Sequence, residues 1–171
     1  GNVQLVEEIN SKKTESDLKA FLRQEALQHL TNFKEAGRSE KAPFDEIYKN
    51  LKKLKGNKGL SNSEVALASA LWSAKEIGAE IDHLSLAEYF TEGKGMQNQE
   101  ELDQKLREAD GIIISTPVYF GDRGSLAQSF ITYLRNNKEL LEAVKHKVYA
   151  GIAVGAKRNG GQETTLIYQL I

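Results

Sequence analysis

Apolar positions at Leu18, Phe21, Leu22, Ala26, Leu27, Leu30 and Phe33 recur at the spacing of one helical face. They predict a helix that Thr14 or Ser16 starts and Gly37 stops. A second helix is predicted from Pro43, a residue suited to a first turn because its missing N–H would have no helical partner there. Its stripe is Phe44, Ile47, Leu51 and Leu54, with Tyr48 alongside, and it runs out at Gly56. Lys49, Lys52, Lys53 and Lys55 are read as its solvated face.

From Gly59 the pattern changes to alternating helix and strand. Residues 61–77 form an amphipathic stretch with Val65, Ala68, Leu71, Trp72 and Ala74 available for packing. Residues 80–86 follow as a short predicted strand, residues 87–97 as a loop or partial helix, and residues 99–109 as a helix with Leu102 and Leu106 inward. Gly111, Ile112, Ile113, Ile114 and Ser115 make a continuous apolar run, as expected of a strand covered on both faces. A loop is predicted at 116–124, helices at 125–136 and 138–145, a buried strand at 147–154, a polar loop at 155–161 and a helix from Gln162. Such alternation predicts a parallel sheet with helices on both faces.

Composition narrows the function classes. The chain has 171 residues, a formal net charge of −1 and no cysteine. Disulfides, thiolate metal sites, cysteine nucleophiles and cysteine-bound iron–sulfur clusters are therefore excluded for these residues. Residues 1–58 carry 12 basic and 9 acidic side chains, and residues 59–171 carry 11 and 15. That asymmetry is too mild for a nucleic-acid surface. No apolar run approaches the roughly 20 residues that span a bilayer, and no signal-peptide pattern opens the chain, so a cytoplasmic protein is expected. His29, His83 and His146 show no metal-ligand spacing, and no metal site is expected. Trp72 is read as core, and Asp122 and Arg123 as a solvent-exposed turn.

Three loops stand immediately before helices, where an open α/β sheet binds its ligands. Ser61, Asn62 and Ser63 open the helix at 61–77. Its N–H groups and dipole suit an anion, although Ser and Asn are equally ordinary N-caps. Thr116, Pro117, Val118, Tyr119, Phe120 and Gly121 end the apolar strand; two aromatics beside a glycine suit a planar heterocycle, and the alternative is a turn whose aromatics return to the core. Lys157, Arg158, Asn159, Gly160, Gly161 and Gln162 bring positive charge and paired glycines that let backbone approach a ligand. The alternative there is a solvated loop capped by Gln162 or Thr164.

The run from Ala109-Asp110-Gly111 through Pro117-Val118-Tyr119-Phe120-Gly121 resembles the third-strand segment and flavin loop of the NAD(P)H-dependent FMN reductase family. Arg158-Asn159-Gly160-Gly161-Gln162-Glu163-Thr164-Thr165 is similar to that family's loop after the fourth strand, and Ser61-Asn62-Ser63 to the end of its phosphate loop. The resemblance implies a flavodoxin-like, doubly wound parallel sheet of order 2-1-3-4-5 over residues 57–171, with residues 1–56 as an N-terminal helical extension. It implies FMN as cofactor, with Ser61, Asn62 and Ser63 at the phosphate. Thr116, Pro117, Val118, Tyr119, Phe120 and Gly121 would line the ribityl chain and ring, and Arg158, Asn159, Gly160, Gly161 and Gln162 would make the ring's other contacts.

The expected activity is hydride transfer from NADH or NADPH to flavin, with electrons passed to a quinone, flavin, metal or protein acceptor; no catalytic side chain is singled out. A homo-oligomer is expected by resemblance. The rivals are an electron-carrier flavoprotein and a flavin-less scaffold that docks a partner on its N-terminal helices.

Three departures from the family accompany the resemblance. The first strand, expected just before Gly59, is not evident, so either residues near 56–58 are missing from the sequence or another segment, such as residues 3–6, fills the slot. The fifth strand and last helix are not evident before Ile171, so residues beyond it or a partner chain would supply them. Residues 88–98 lack the cysteines some relatives carry, which argues against an iron–sulfur flavoprotein.

Overall fold

The computed structural model describes residues 4–91, 95–119, 122–155 and 161. The chain forms two compact units, Gly1–His83 and Leu84–Ile171. No helix among the described residues is long and apolar enough to cross a membrane.

The first unit is helical: α1 (Leu5–Ser11), α2 (Glu15–Phe33), a π-type turn (Lys34–Arg38), α3 (Phe44–Lys53) and α4 (Asn62–Glu76). Thr14 caps α2 in a reciprocal box, its hydroxyl accepting from the Asp17 N–H while the Asp17 carboxylate accepts from the Thr14 N–H. That hydrogen bonding by Thr14 holds the Asp17 carboxyl below its usual range. Asp45 and Glu46 in the first turn of α3, and Lys52 and Lys53 in its last, match the helix dipole. Leu5, Ile9, Leu18, Leu22, Ile47, Leu60, Ala68, Leu71 and Trp72 are buried. Lys75 ties α4 to α1 by donating to the Ile9 carbonyl at 3.4 Å, with its ammonium 4.7 Å from the Trp72 ring centre.

The buried face of α2 departs from the apolar stripe. Leu27 and Leu30 are exposed, at 54% and 42%, whereas Glu25 and Asn32 are buried. The buried positions Leu18, Glu25 and Asn32 succeed one another at seven-residue intervals, so they share one face of the helix. Two polar side chains take interior positions because they bind a backbone segment, described below.

The second unit contains α5 (Leu86–Tyr89), the short antiparallel strands β1 (Phe90–Thr91) and β2 (Gly95–Met96), α6 (Gln99–Glu108), β3 (Gly111–Tyr119), β4 (Asp122–Arg123), α7 (Ser125–Asn136), α8 (Lys138–Val144) and β5 (Val148–Val154). β3 and β5 are parallel and in register from Gly111↔Val148 to Pro117↔Val154, and β4 adds antiparallel to the end of β3. Parallel strands joined through helices make this an α/β unit, consistent with a flavodoxin-like fold. Its core joins Tyr89, Leu102, Leu106, Ile114, Phe130, Ile131, Leu134, Leu140 and Val144. Lys147 closes the α6–β3 corner, donating to the Arg107 carbonyl at 2.7 Å and to the Ala109 carbonyl.

Three expected elements differ. Residues 80–85 are irregular, not strand, and the segment then enters α5. In a 2-1-3 arrangement the second strand pairs only with the first, so without a first strand its backbone has no ladder to join. Residues 3–6 do not supply that strand: Leu5 and Val6 lie in α1, and Val3 is outside the described residues. Residues 116–119 continue β3, and Asp122–Arg123 pair with it as β4, so the segment expected as a loop is strand through much of its length.

The Tyr149 hydroxyl, on β5, is buried and has no hydrogen-bond partner among the described residues. Burial raises its pKa from 10.0 to about 12. Above pH 10 the unfolded chain ionises this phenol while the folded chain resists, so its contribution to stability is whole below pH 10 and is lost as pH rises to about 12. Tyr149→Phe should be neutral or stabilising by about 1 kcal/mol at pH 7, because no bond among the described residues is lost and a buried polar group is removed. Urea unfolding at pH 7 and pH 11 should show the variant losing less stability with alkali than the parent.

Candidate functional site

The segment before α4 is organised on two sides. Toward the helix, Ser61 is the N-cap: its hydroxyl accepts from the Glu64 N–H at 3.3 Å, and the Glu64 carboxylate accepts from the Ser61 N–H at 2.7 Å. The Ser61 and Ser63 hydroxyl oxygens lie 3.1 Å apart and share a hydrogen bond. Asn62 and Ser63 occupy the first turn, where backbone N–H groups have no helical carbonyl to meet. The N-cap role foreseen for this serine is thus present, and it places a carboxylate at the positive end of the helix.

Toward α2, the preceding residues are held at several points. The Asn57 amide donates to the two Glu25 carboxylate oxygens at 2.9 and 3.2 Å, and its carbonyl oxygen Oδ1 accepts from the Gly59 N–H at 2.9 Å. Asn32 Nδ2 donates to the Asn57 backbone carbonyl at 3.1 Å, and the Leu60 N–H donates to the Glu25 carbonyl at 3.3 Å. Gly59 has φ +66°, and a Cβ there would stand 2.3 Å from the Glu25 oxygen and 2.4 Å from the His29 nitrogen. Only glycine lets the chain lie this close to the helix backbone. Glu25 and Asn32 were not singled out by sequence; their signal was two polar residues at the spacing of a buried stripe.

In the second unit, β3 carries Thr116, Pro117, Val118 and Tyr119 beyond the apolar run. Thr116 is buried and its hydroxyl donates to the Pro117 carbonyl at 3.2 Å. The same carbonyl accepts from the Gly124 N–H at 3.1 Å, and the pairs Val118↔Arg123 and Tyr119↔Asp122 close a tight hairpin. Tyr119 is 44% exposed, so it does not return to the core. Phe120 and Gly121 lie outside the described residues.

The parallel register Pro117↔Val154 brings the carboxyl ends of β3 and β5 side by side. The chain therefore leaves β5 at Gly155, at the same end of the sheet where Thr116–Tyr119 stand. Gly161 has a positive φ of 87°, a conformation that favours glycine, while Arg158, Asn159, Gly160 and Gln162 lie outside the described residues. Among the described residues no group of three or more His, Cys, Asp or Glu side chains could hold a metal ion.

Comparison with known proteins places this arrangement. An iron-sulfur flavoprotein of Methanocaldococcus jannaschii is 34% identical over 118 residues, which is 61% of this chain and 61% of that protein. An iron-sulfur flavoprotein of Methanosarcina thermophila is 33% identical over 120 residues, 61% of this chain and 62% of its own. The chain thus spans less than two thirds of the length of these relatives, and it has no cysteine of its own to ligate a cluster. No solved structure matches it significantly. The family described as NADPH-dependent FMN reductase matches residues 55–168, from the segment before α4 to beyond β5, and the chain belongs to that family.

Proposed function

We propose that this chain binds FMN and serves as an oxidoreductase that takes hydride from NADH or NADPH and delivers electrons to a quinone, flavin, metal or protein acceptor. When bound, the isoalloxazine supplies the redox chemistry, and the protein supplies position and electrostatics. The observation that carries this reading is the paired carboxyl ends of β3 and β5, with Tyr119 exposed at the edge of the sheet. Ligands of open α/β sheets bind at that edge.

The residues present suit a phosphorylated planar ring. Pro117 and Tyr119 offer an apolar wall, and the hairpin holds the backbone of Val118 and Tyr119 in fixed register. Ser61, Asn62 and Ser63 offer hydroxyls and first-turn N–H groups to the phosphate. Arg158, Asn159, Gly160, Gly161 and Gln162, which follow β5 in the sequence, would add positive charge and backbone donors. A cytoplasmic homo-oligomer is the form we expect.

Glu64 gives this reading a signed prediction. Its carboxylate completes the capping box and sits beside the proposed phosphate position. Glu64→Gln keeps the capping geometry, since glutamine serves equally in such a box. Removing one negative charge should tighten FMN by roughly five-fold, about 1 kcal/mol for charges a few ångströms apart near water. Riboflavin, which lacks the phosphate, should bind both proteins alike. Fluorescence titration of each flavin checks this.

A second reading is an electron carrier that is reduced by another protein; the relatives are named as iron-sulfur flavoproteins and not by a nicotinamide-dependent activity. An anaerobic mixture of the purified chain and FMN separates the two. Loss of the oxidised-flavin absorbance on adding NADH or NADPH alone supports hydride transfer; flavin that stays oxidised until a protein reductase is added overturns it in favour of the carrier.

A further inference from the structure

We infer that α2 of the N-terminal helical segment positions the phosphate end of the flavin site, through Glu25, Asn32 and their hold on residues 57–60. The inference rests on the proposed FMN reading and adds to it the part that residues outside the family match play.

In a doubly wound fold the chain that enters a ligand-binding helix ordinarily emerges from a strand, and the sheet fixes where it begins. Here the residues before α4 emerge from α3 and an irregular stretch instead. Their placement therefore depends on other partners, and the first unit supplies them from one helix face. Glu25 and Asn32 are 5% and 6% exposed, two turns apart on α2. Both bind Asn57: Glu25 accepts both hydrogen bonds from the Asn57 amide, and Asn32 donates to the Asn57 carbonyl. Gln28 steadies Asn32 from the preceding turn, its Nε2 donating to Asn32 Oδ1 at 2.9 Å.

Asn57 in turn shapes the next two residues. Its side-chain oxygen accepts from the Gly59 N–H, bending the chain back so that Gly59 rests against the α2 backbone and Leu60 bonds to the Glu25 carbonyl. Ser61 follows directly as N-cap. A buried carboxylate is costly unless its oxygens are bonded, so Glu25 is a strong specifier of where the Asn57 amide must sit. Glu25, Asn32 and Asn57 touch no part of the proposed ligand; they are positioning residues.

The polarity of the Glu25–Asn57 pair makes a decisive exchange possible. Asn57→Asp keeps the oxygen that accepts from Gly59 but turns the other toward the Glu25 carboxylate, setting like charges at hydrogen-bond distance. Adding Glu25→Gln restores a donor–acceptor pair with its direction reversed. The readout is the ratio of FMN to riboflavin affinity of the full chain, measured by flavin fluorescence, with circular dichroism to confirm folding. A general loss of structure weakens both flavins, whereas a displaced phosphate site weakens FMN alone.

The expected result is that the parent prefers FMN, that Asn57→Asp lowers the ratio roughly tenfold or more, as juxtaposed like charges would, and that the double variant recovers it. Should Asn57→Asp not fold, Asn32→Ala, which removes one hydrogen bond to the Asn57 carbonyl, should still lower the ratio several-fold. A parent that binds riboflavin as tightly as FMN overturns the phosphate assignment and this inference with it. A parent that prefers FMN, with variants that keep the ratio or lose both flavins equally, leaves the assignment standing and overturns the inference alone.

Discussion

Gly59→Ala is expected to destabilise the first unit by roughly 3 kcal/mol, among the larger effects a single methyl can have. Two costs combine. The backbone at φ +66° lies in the left-handed region, which disfavours a side chain whatever the surrounding space. The added Cβ would also stand 2.3 and 2.4 Å from main-chain atoms of α2, which no rotamer change can relieve. The segment must lift, and the Leu60 N–H bond to the Glu25 carbonyl and the burial of Leu60 are lost with it. Urea unfolding measures the change. A loss under about 1 kcal/mol, the usual effect of a surface substitution, would mean that the segment does not rest on the helix.

Leu134→Ala is expected to cost about 2–5 kcal/mol, the range for emptying a well-packed leucine site. Leu134 is fully buried on α7, in the cluster that also holds Phe130, Ile131 and Leu140. Ile114 of β3 belongs to the same cluster, so the cavity opens beneath the strand that carries Pro117 and Tyr119. A fall in Tm of roughly 10 °C is predicted for a chain of this size. Leu126→Ala on the same helix is the control: Leu126 is exposed, and its removal should change Tm little.

Much of this architecture could be read from side-chain spacing, and the failures have local causes. The helices α2 and α4 were legible because each combines periodic apolar positions with a cap, Thr14 with Asp17 and Ser61 with Glu64. The strands β3 and β5 were legible as apolar runs between helices. Residues 80–85 misled because a short segment between helices can be strand only where a neighbour pairs with it. The hairpin of β3 and β4 was hidden because Pro117 and Gly124 signal a turn without showing how long the strand continues past its apolar run.

The candidate site divides in the same way. Tyr119 is exposed and β3 and β5 share a carboxyl end, the geometry on which the proposed ligand-facing role rests. The capping box at Ser61 was one of two readings of the same residues, and the structure shows the N-cap. Glu25 and Asn32 were missed because a search for apolar positions passes over polar ones. Leu27 and Leu30 looked like the interior of α2, yet the interior is set by what the helix must hold, here the Asn57 backbone and amide.

Titration of FMN with the purified 171-residue chain, followed by flavin fluorescence, tests the central claim most directly. Saturable binding of one FMN per chain, with a shifted visible flavin spectrum, is the predicted result. Flavin fluorescence and absorbance unchanged at every protein concentration would contradict it.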